Sequence, residues 1–577
     1  VEEKELKMPE NSNDKNIRLN SWISFIITIA SIIIIAWLVS LARIRLDLTE
    51  DKRYTLSAQT LKVLDEIKND IYIQVYLDGE MQIPLKRLRR SVQEMLDEFR
   101  IASGRKISYE FINPSASGDE QKRESLFQDL YNKGLVPVRA QYTDGKGGES
   151  QRLVFPGMIV NYNGIEVPVN FLKNNQALSY EQNILHSIEG LEYEMIQTIS
   201  TLASDTIYKV AFLEGQGELS ETEVADITYN LAKYFTVDRG VIGGKQGSLD
   251  QYSAIIVAGP REQFSEADKF VVDQYIMYGG KVLWLLEQVY VNRDSLSSGE
   301  TAGFYYPLNI EDQLFRYGTR INPEVVQDMD CMLVRLSVTA GGGQRQIVPA
   351  PWVYYPLLAP DQHHPVTRNL NKVKGEFVNT LDTVGLDGAI KKTILLRTSD
   401  YSRTIAPPLI IKLREAESVP EEKEFNRSRL PVAVLLEGVF PSAFRNRMAG
   451  TLFGGSNREV RNESLPTRMI VIADGDIIRN EVQRTGSTEV PLPLGQDKYT
   501  GQLFGNRDFL LNCMNYLVDN NNLMQLRSRE MKLRLLDRAK IKDERTFWQL
   551  VNIITPVLLV ILAGIIYNLF RKRAYSK

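Results

Sequence analysis

Cysteine and histidine are almost missing from this chain. Two cysteines, Cys331 and Cys513, and three histidines, His186, His363 and His364, are all that its 577 residues contain. The cysteines stand far apart in no metal-type spacing. They read either as one bridge or as two small buried hydrophobes, and so few thiols leave the redox compartment open. Any Ser/His or Cys/His catalysis would have to draw on one of the three histidines. His363 and His364 are neighbours in the Pro-flanked loop APDQHHPVTRNL, where adjacent side chains diverge, and His186 lies in the helical stretch YEQNILHSIEGLEYE. All three read as structural residues. The patterns G-x-x-x-x-G-K-[ST], G-x-S-x-G, H-E-x-x-H and C-x-x-C are absent, so the chain brings no P-loop, nucleophile elbow, zincin helix or redox pair of its own. A basic excess is missing as well: 69 Lys and Arg face 72 Asp and Glu. No nucleic-acid partner is expected from that balance, and no cofactor or metal.

Two long uncharged apolar runs lie near the two ends of the chain, with none between. The first covers 19–42 (LNSWISFIITIASIIIIAWLVSLA) and the second 546–570 (TFWQLVNIITPVLLVILAGIIYNLF). Each exceeds the ~20 apolar residues that cross a ~30 Å hydrocarbon core. The first is too long for a signal-peptide core and is followed by Arg-Ile-Arg-Leu-Asp rather than a small-residue cleavage site, so it reads as a retained anchor. Trp22, Trp37, Trp548 and Tyr567 sit near the span ends, where aromatic rings favour the interface. Two spans would put the tails 1–18 and 571–577 on one side. The tail RKRAYSK is basic and looks cytoplasmic, whereas the basic stretch 526–545 before the second span argues the other way. The expected localisation is the bacterial inner membrane, with the bulk of the chain in the periplasm.

Between the anchors the fold class reads as α/β. Ser57 is a candidate N-cap for a helix to Lys68 with Leu61, Leu64 and Ile67 on its apolar face. IYIQVYL at 71–77, a helix carrying Leu85, Leu88, Val92, Met95, Leu96 and Phe99, and the alternating KISYEFI at 106–112 predict a β-α-β unit. With a helix over 119–133, a β-rich part over 136–172 and a long helix over 179–203, segment 43–203 is expected to be a thioredoxin-like domain. Segment 204–525 is expected to be a doubly wound, amidotransferase-like sheet domain with an irregular β extension. YKVAFL at 208–213, AIIVA at 254–258 and KVLWLL at 281–286 are its strands, alternating with helices over 222–235 and 265–278. Further strands are expected at 393–396, 409–413, 432–440 and 468–473, and a closing helix over 506–519.

Four stretches are candidates for a site. The loop Glu214-Gly215-Gln216-Gly217-Glu218 follows the first strand of the sheet domain, where a Gly-rich turn can face a ligand. The third glycine of a dinucleotide fingerprint is replaced by Ser220, and two glutamates would repel a phosphate. A tight turn and a ligand or partner contact both stand as readings. Glu287-Gln288 occupies the strand end where an amidotransferase-like fold would carry a nucleophile, and neither residue is one. Asp474-Gly475-Asp476 suggests a Ca²⁺ site or, more simply, a hairpin turn. The run containing Arg527, Arg529, Lys532, Arg534 and Arg538 reads either as a solvated strand face or as a contact with anionic head groups or a membrane partner.

RIRLDLTEDKRYTLSAQTLKVLDEI after the first span, FLEGQGELSETEV, AIIVAGP, GNRDFLLNCMNYLVD and LRLLDRAKI before the second span are similar to the gliding-motility-associated ABC transporter auxiliary (substrate-binding-like) proteins of Bacteroidetes. The resemblance spans nearly the whole chain. It implies a non-enzymatic auxiliary subunit that works with a multi-span ABC permease, a cytoplasmic ATPase and the lipid bilayer. A membrane-tethered hydrolase or amidotransferase-like enzyme and a purely structural envelope tether are the alternatives.

Overall fold

The computed structural model describes residues 22–35, 37, 55–143, 149–172, 178–204, 208–339, 345–385, 388–418, 421–445, 447, 459–485, 488–519, 523–528 and 538–575. Residues 1–55 and 56–577 form two separate units. In the first, the apolar helix α1 spans Trp22–Ile35. The remainder of the expected 19–42 span falls outside the described residues, apart from Trp37.

The second unit begins with α2 (Ala58–Glu66), whose N-cap Ser57 accepts from the Thr60 N–H, as its sequence predicts. Its buried face is Thr60, Val63 and Leu64, whereas Leu61 is exposed. Leu64 and Ile67 of the predicted apolar face are thus buried, and only Leu61 departs from it. β1 (Ile71–Val75), α3 (Ile83–Ala102) and β2 (Ile107–Phe111) form the expected right-spaced β-α-β unit with parallel strands. α4 (Glu120–Asn132) follows, capped by Asp119, then the hairpin β3 (Val138–Thr143) and β4 (Glu149–Val154). β5 (Gly157–Tyr162) and β6 (Ile165–Asn170) complete a four-stranded sheet of order β2-β1-β5-β6, in which β5 runs antiparallel to β1. α5 (Tyr180–Ala203) opens with a full capping box made by Ser179 and Gln182. It buries Glu192, whose carboxylate accepts from the Ser57 N–H and, at 2.7 Å, from the Thr60 hydroxyl.

The large sheet is built from β7 (Lys209–Glu214), α6 (Ala225–Leu231), β8 (Thr236–Val241), β9 (Ala254–Ala258), α7 (Glu266–Met277) and β10 (Val282–Leu285). β11 (Val289–Val291), the short α8 (Arg293–Leu296) and β12 (Glu300–Tyr305) lead to α9 (Glu311–Tyr317). Then come β13 (Thr319–Asn322), β14 (Val325–Asp328), β15 (Cys331–Thr339), β16 (Arg345–Pro360), β17 (Val373–Lys374) and β18 (Thr380–Thr383). β19 (Ile390–Arg397), β20 (Ser402–Ile405), β21 (Leu409–Lys412), β22 (Pro431–Gly438), β23 (Thr467–Ile472), β24 (Val482–Thr485) and β25 (Thr488–Pro491) finish the strands. α10 (Asn506–Val518) and α11 (Arg538–Tyr575) end the unit.

The main sheet path is β15-β16-β19-β22-β23-β10-β9-β7-β8. β8, β7, β9, β10 and β23 pair in parallel, and β22 turns antiparallel to β23. The sheet is thus mixed, where a parallel doubly wound sheet was expected. β7, β9 and β10, the three strands read from sequence, are parallel neighbours as predicted. Their near-continuous apolar runs serve two cores, because successive residues face opposite sides of a sheet. Ala254, Ile256 and Ala258 join one buried cluster that extends from Val63 to Leu526. Ile255 and Val257 join another with Trp284, Val271 and Leu314.

Two features were not predicted. β8 is an edge strand of partly exposed residues, TVDRGV, with no apolar run to announce it. β16 carries Pro349, Pro351 and Pro356, which read as strand breakers. Pro349 and Pro351 pair only with β15, opposite Arg335 and Leu333, so their missing N–H groups fall on an unpaired edge.

α11 includes Asp543–Arg573, a stretch of 31 residues long and apolar enough to cross a membrane, with none of its apolar window buried. The helix starts at Arg538, inside the stretch expected to precede the span.

Candidate functional site

The carboxyl ends of β7, β9, β10 and β23 point to one edge of the large sheet. Chain order reverses between β7 and β9, because β8 is added outside β7 before the chain returns. Such a reversal opens the crevice where open α/β sheets bind ligands. Here the crevice is lined by Leu219, Gly259, Arg261, Glu287, Tyr290 and Asp476, among others.

The loop after β7 is held by its own groups. Gly215 and Gly217 adopt left-handed φ of 114° and 68°. The Gln216 N–H donates to Glu218 Oε2 at 2.8 Å, and the Gln216 carbonyl accepts from the N–H groups of Arg261 (2.7 Å) and Glu262 (2.8 Å). Burial pushes the Glu218 carboxyl up, while the backbone N–H groups of Gln216, Glu218 and Gly215 pull it down. This is the geometry of an anion nest, and its anion is Glu218 itself. Glu214 pairs with Arg239 of β8 at 2.7 Å, and Arg239 also donates to the Leu219 carbonyl. The stretch thus lies beside the crevice, whose lining begins one residue later at Leu219.

Asp474-Gly475-Asp476 is no hairpin. β23 runs parallel to β10 and passes into a 3-10 turn at Asp476–Ile478, with Gly475 at φ −75° and ψ −25°. A type I′ turn needs positive φ at that glycine, so the hairpin reading is corrected. Asp474 is fully buried and accepts from the N–H groups of Glu376 (3.1 Å) and Asp476 (2.8 Å). Glu287 accepts from the Gly475 N–H at 3.1 Å. Burial, with Asp476 nearby, pushes the Glu287 carboxyl up to about 8, against the opposing pull of Arg261 and Arg293. Burial and the Glu287 charge raise Asp474 well above the carboxylate range. The two shifts act in the same direction, because each carboxyl raises the cost of charging the other.

Behind the pair lies a charge network that sequence reasoning missed. Arg293 meets Glu376 at 2.8 Å and Glu481 at 3.3 Å, and Lys374 meets the same two at 2.8 Å and 3.2 Å. Arg479 joins Asp476 to Glu223. Burial opposes ionisation of Glu481, but Lys374, Arg293 and Lys498 outweigh it and hold its carboxyl at about 2. These partners come from five separate chain segments, so no local motif could have announced them.

Of the basic stretch, Arg527 donates to the Arg368 carbonyl at 2.9 Å and lies over the Tyr193 ring. Arg529, Lys532 and Arg534, with the predicted strand there, lie outside the described residues, and Arg538 is the first residue of α11. His186 faces Glu189, exposed His363 faces Asp361, and His364 packs edge-on against Tyr516. Burial lowers the His364 pKa. Cys331 and Cys513 are free thiols, which settles the bridge in favour of two separate residues. Among the described residues, no group of three or more His, Cys, Asp or Glu could hold a metal.

Comparison with known families gives two matches. Residues 50–161 match a domain of unknown function, DUF7088, and residues 208–513 match a family described as "ABC-type uncharacterized transport system". No curated protein matches. Among solved structures, the chain is similar to the mmIFT52 N-terminal domain at 14% identity and a TM-score of 0.31, covering 54% of this chain and 98% of that one. It is also similar to a catalytic mutant of Gan42B, a GH42 beta-galactosidase from G. stearothermophilus, at 9% identity and a TM-score of 0.21, covering 71% and 49%. Both scores are too low to define a common fold. The second family match takes in the parallel strands, the crevice and the charge network, and extends over more than half of the chain: the protein belongs to the family of auxiliary components of ABC-type transport systems.

Proposed function

We propose that the protein is a non-enzymatic subunit of a bacterial ABC transporter, tied to the inner membrane by two spans, with its α/β body in the periplasm. The observation that carries this reading is α11. An apolar helix with no buried window needs lipid or protein around it, and its 25 uncharged residues span ~37 Å, enough for the bilayer core. The chain carries no P-loop, so energy would come from a separate ATPase, and two helices do not enclose a pore, so a multi-span permease would supply the path. The spans would pack against that permease. Arg527, Arg529, Lys532, Arg534 and Arg538 would meet anionic head groups or the permease at the membrane surface. The entry and pre-anchor motifs support a complex serving gliding motility. The loop 214–218, with the Gln216 N–H already held by Glu218, would offer Glu214 and its neighbours to a partner. Mild extraction of the tagged full chain tests this: a permease and an ATPase should co-purify, and repeated recovery of the chain alone would refute it.

One observation favours a second reading, a tethered hydrolase. Glu287, whose carboxyl burial pushes up to about 8, lines the crevice, as acid–base groups do. Hydrolytic activity lost in Glu287→Gln with folding intact would favour the enzyme.

A further inference from the structure

A second cavity lies away from the crevice, where the edge strands of the two sheets face each other. Its volume is about 390 Å³, inside the ~300–1,000 Å³ range of small-molecule sites. Ile165 and Val167 of β6 form one wall, the last turns of α5 and α10 two more, and the entry to β8 the fourth. We propose that this cavity binds a neutral, polyhydroxylated small molecule of mono- or disaccharide size.

The chemistry of the wall carries the proposal. The side chains of Gln197, Ser200 and Asn515 and the Tyr234 hydroxyl make no hydrogen bond to another described residue, and Asn515 Oδ1 is a buried atom without a partner. An apolar ligand would leave those groups unpaired at ~1–3 kcal/mol each. Amides and hydroxyls both donate and accept, which matches vicinal hydroxyls that do the same. Between them stand the rings of Tyr234 and Phe235, inclined at 58°, which offer apolar faces to the C–H side of a sugar ring. No net charge selects an ion. Lys233 is turned to Asn230 Oδ1 at 3.0 Å, and Asp519 accepts from the Met524 N–H at 3.0 Å, one cation and one anion each held by its own chain. The site is independent of the transporter reading, since neither wall nor mouth uses the spans or the sheet-end crevice.

The test uses the full chain in lipid nanodiscs prepared without glycoside detergent. Saturation-transfer NMR titrations would compare glucose, maltose and N,N′-diacetylchitobiose with inorganic phosphate and the neutral dipeptide analogue N-acetylalaninamide. At least one saccharide should saturate. Gln197→Leu and Asn515→Leu should each weaken it at least tenfold, and Ser200→Phe, which fills the cavity, should abolish it, all three with unchanged melting temperature. Saturation by none of the saccharides, saturation by the dipeptide analogue or phosphate instead, or saccharide binding indifferent to all three substitutions would overturn the proposal. Recovery without a permease would leave it standing.

Discussion

Gly475 and Gly259 touch across the end of β10: a Cβ on Gly475 would lie 2.9 Å from the Gly259 Cα and 3.3 Å from Glu287 Oε1. The loops after β9 and β23 thus close over the end of the intervening strand, and that closure sets the Glu287 carboxyl against Gly475. Because Gly475 has an ordinary helical φ, Gly475→Ala probes the contact and not the backbone conformation. It should lower stability by ~1–3 kcal/mol, read as a lower melting temperature of the full chain in nanodiscs. An unchanged melting temperature would show that the loops can part freely.

The charge network behind the pair is expected to matter more than any exposed ion pair. Lys374 is 10% exposed and bridges Glu376 and Glu481. Lys374→Met leaves two buried carboxylates short of a cation and should cost ~3–5 kcal/mol. Lys391→Met breaks the 69%-exposed pair with Glu437 and should cost under ~1 kcal/mol. Thermal melts of the two variants side by side check the contrast.

Stability should depend on pH in two windows of opposite sign. Glu287 is raised in the folded state, so the fold holds a proton that the unfolded chain releases. Its contribution is full below the unfolded carboxylate pKa and is lost as pH rises toward about 8. Glu481 is depressed to about 2, so its contribution is present above the unfolded pKa and is lost as pH falls through the folded one. Melting temperature should therefore peak near pH 5 and decline by pH 8. Glu287→Gln, which keeps an acceptor for the Gly475 N–H, should flatten the alkaline decline by about 2 °C or more.

Much of this fold was legible in local pattern. Helices such as α3 and α10 announced their buried residues by helical spacing, and β7, β9 and β10 by apolar runs, because in each case burial is periodic along the chain. β8 and β16 were illegible for the opposite reason: one is a polar edge and the other keeps its prolines where no ladder bond is needed. At the sheet end, the loop 214–218 was placed after β7 by the strand's apolar run, and it folds there. Asp474 was misread as part of a hairpin, and Glu287 was noticed only as a turn without a nucleophile, since local pattern ignores what lies across the sheet. Glu376, Arg293, Lys374 and Glu481 converge only after folding.

The nest after β7 makes a fourth prediction. Glu218→Ala removes the carboxylate that accepts the Gln216 N–H and leaves that buried donor unpaired. A loss of ~1–3 kcal/mol is expected, with faster hydrogen exchange at residues 214–218 and unaltered exchange in β10. Exchange unchanged throughout would mean that the loop holds its shape without its anion.

The proposed function rests on α11 packing against a permease within the membrane. It is tested most directly by placing a photoreactive benzoylphenylalanine at Leu559, midway along the apolar stretch and 63% exposed, and irradiating intact membranes. The account predicts a discrete crosslinked product containing a multi-span permease subunit. Crosslinks confined to lipid or to a second copy of this chain, at Leu559 and at positions on every other face of the helix, would contradict it.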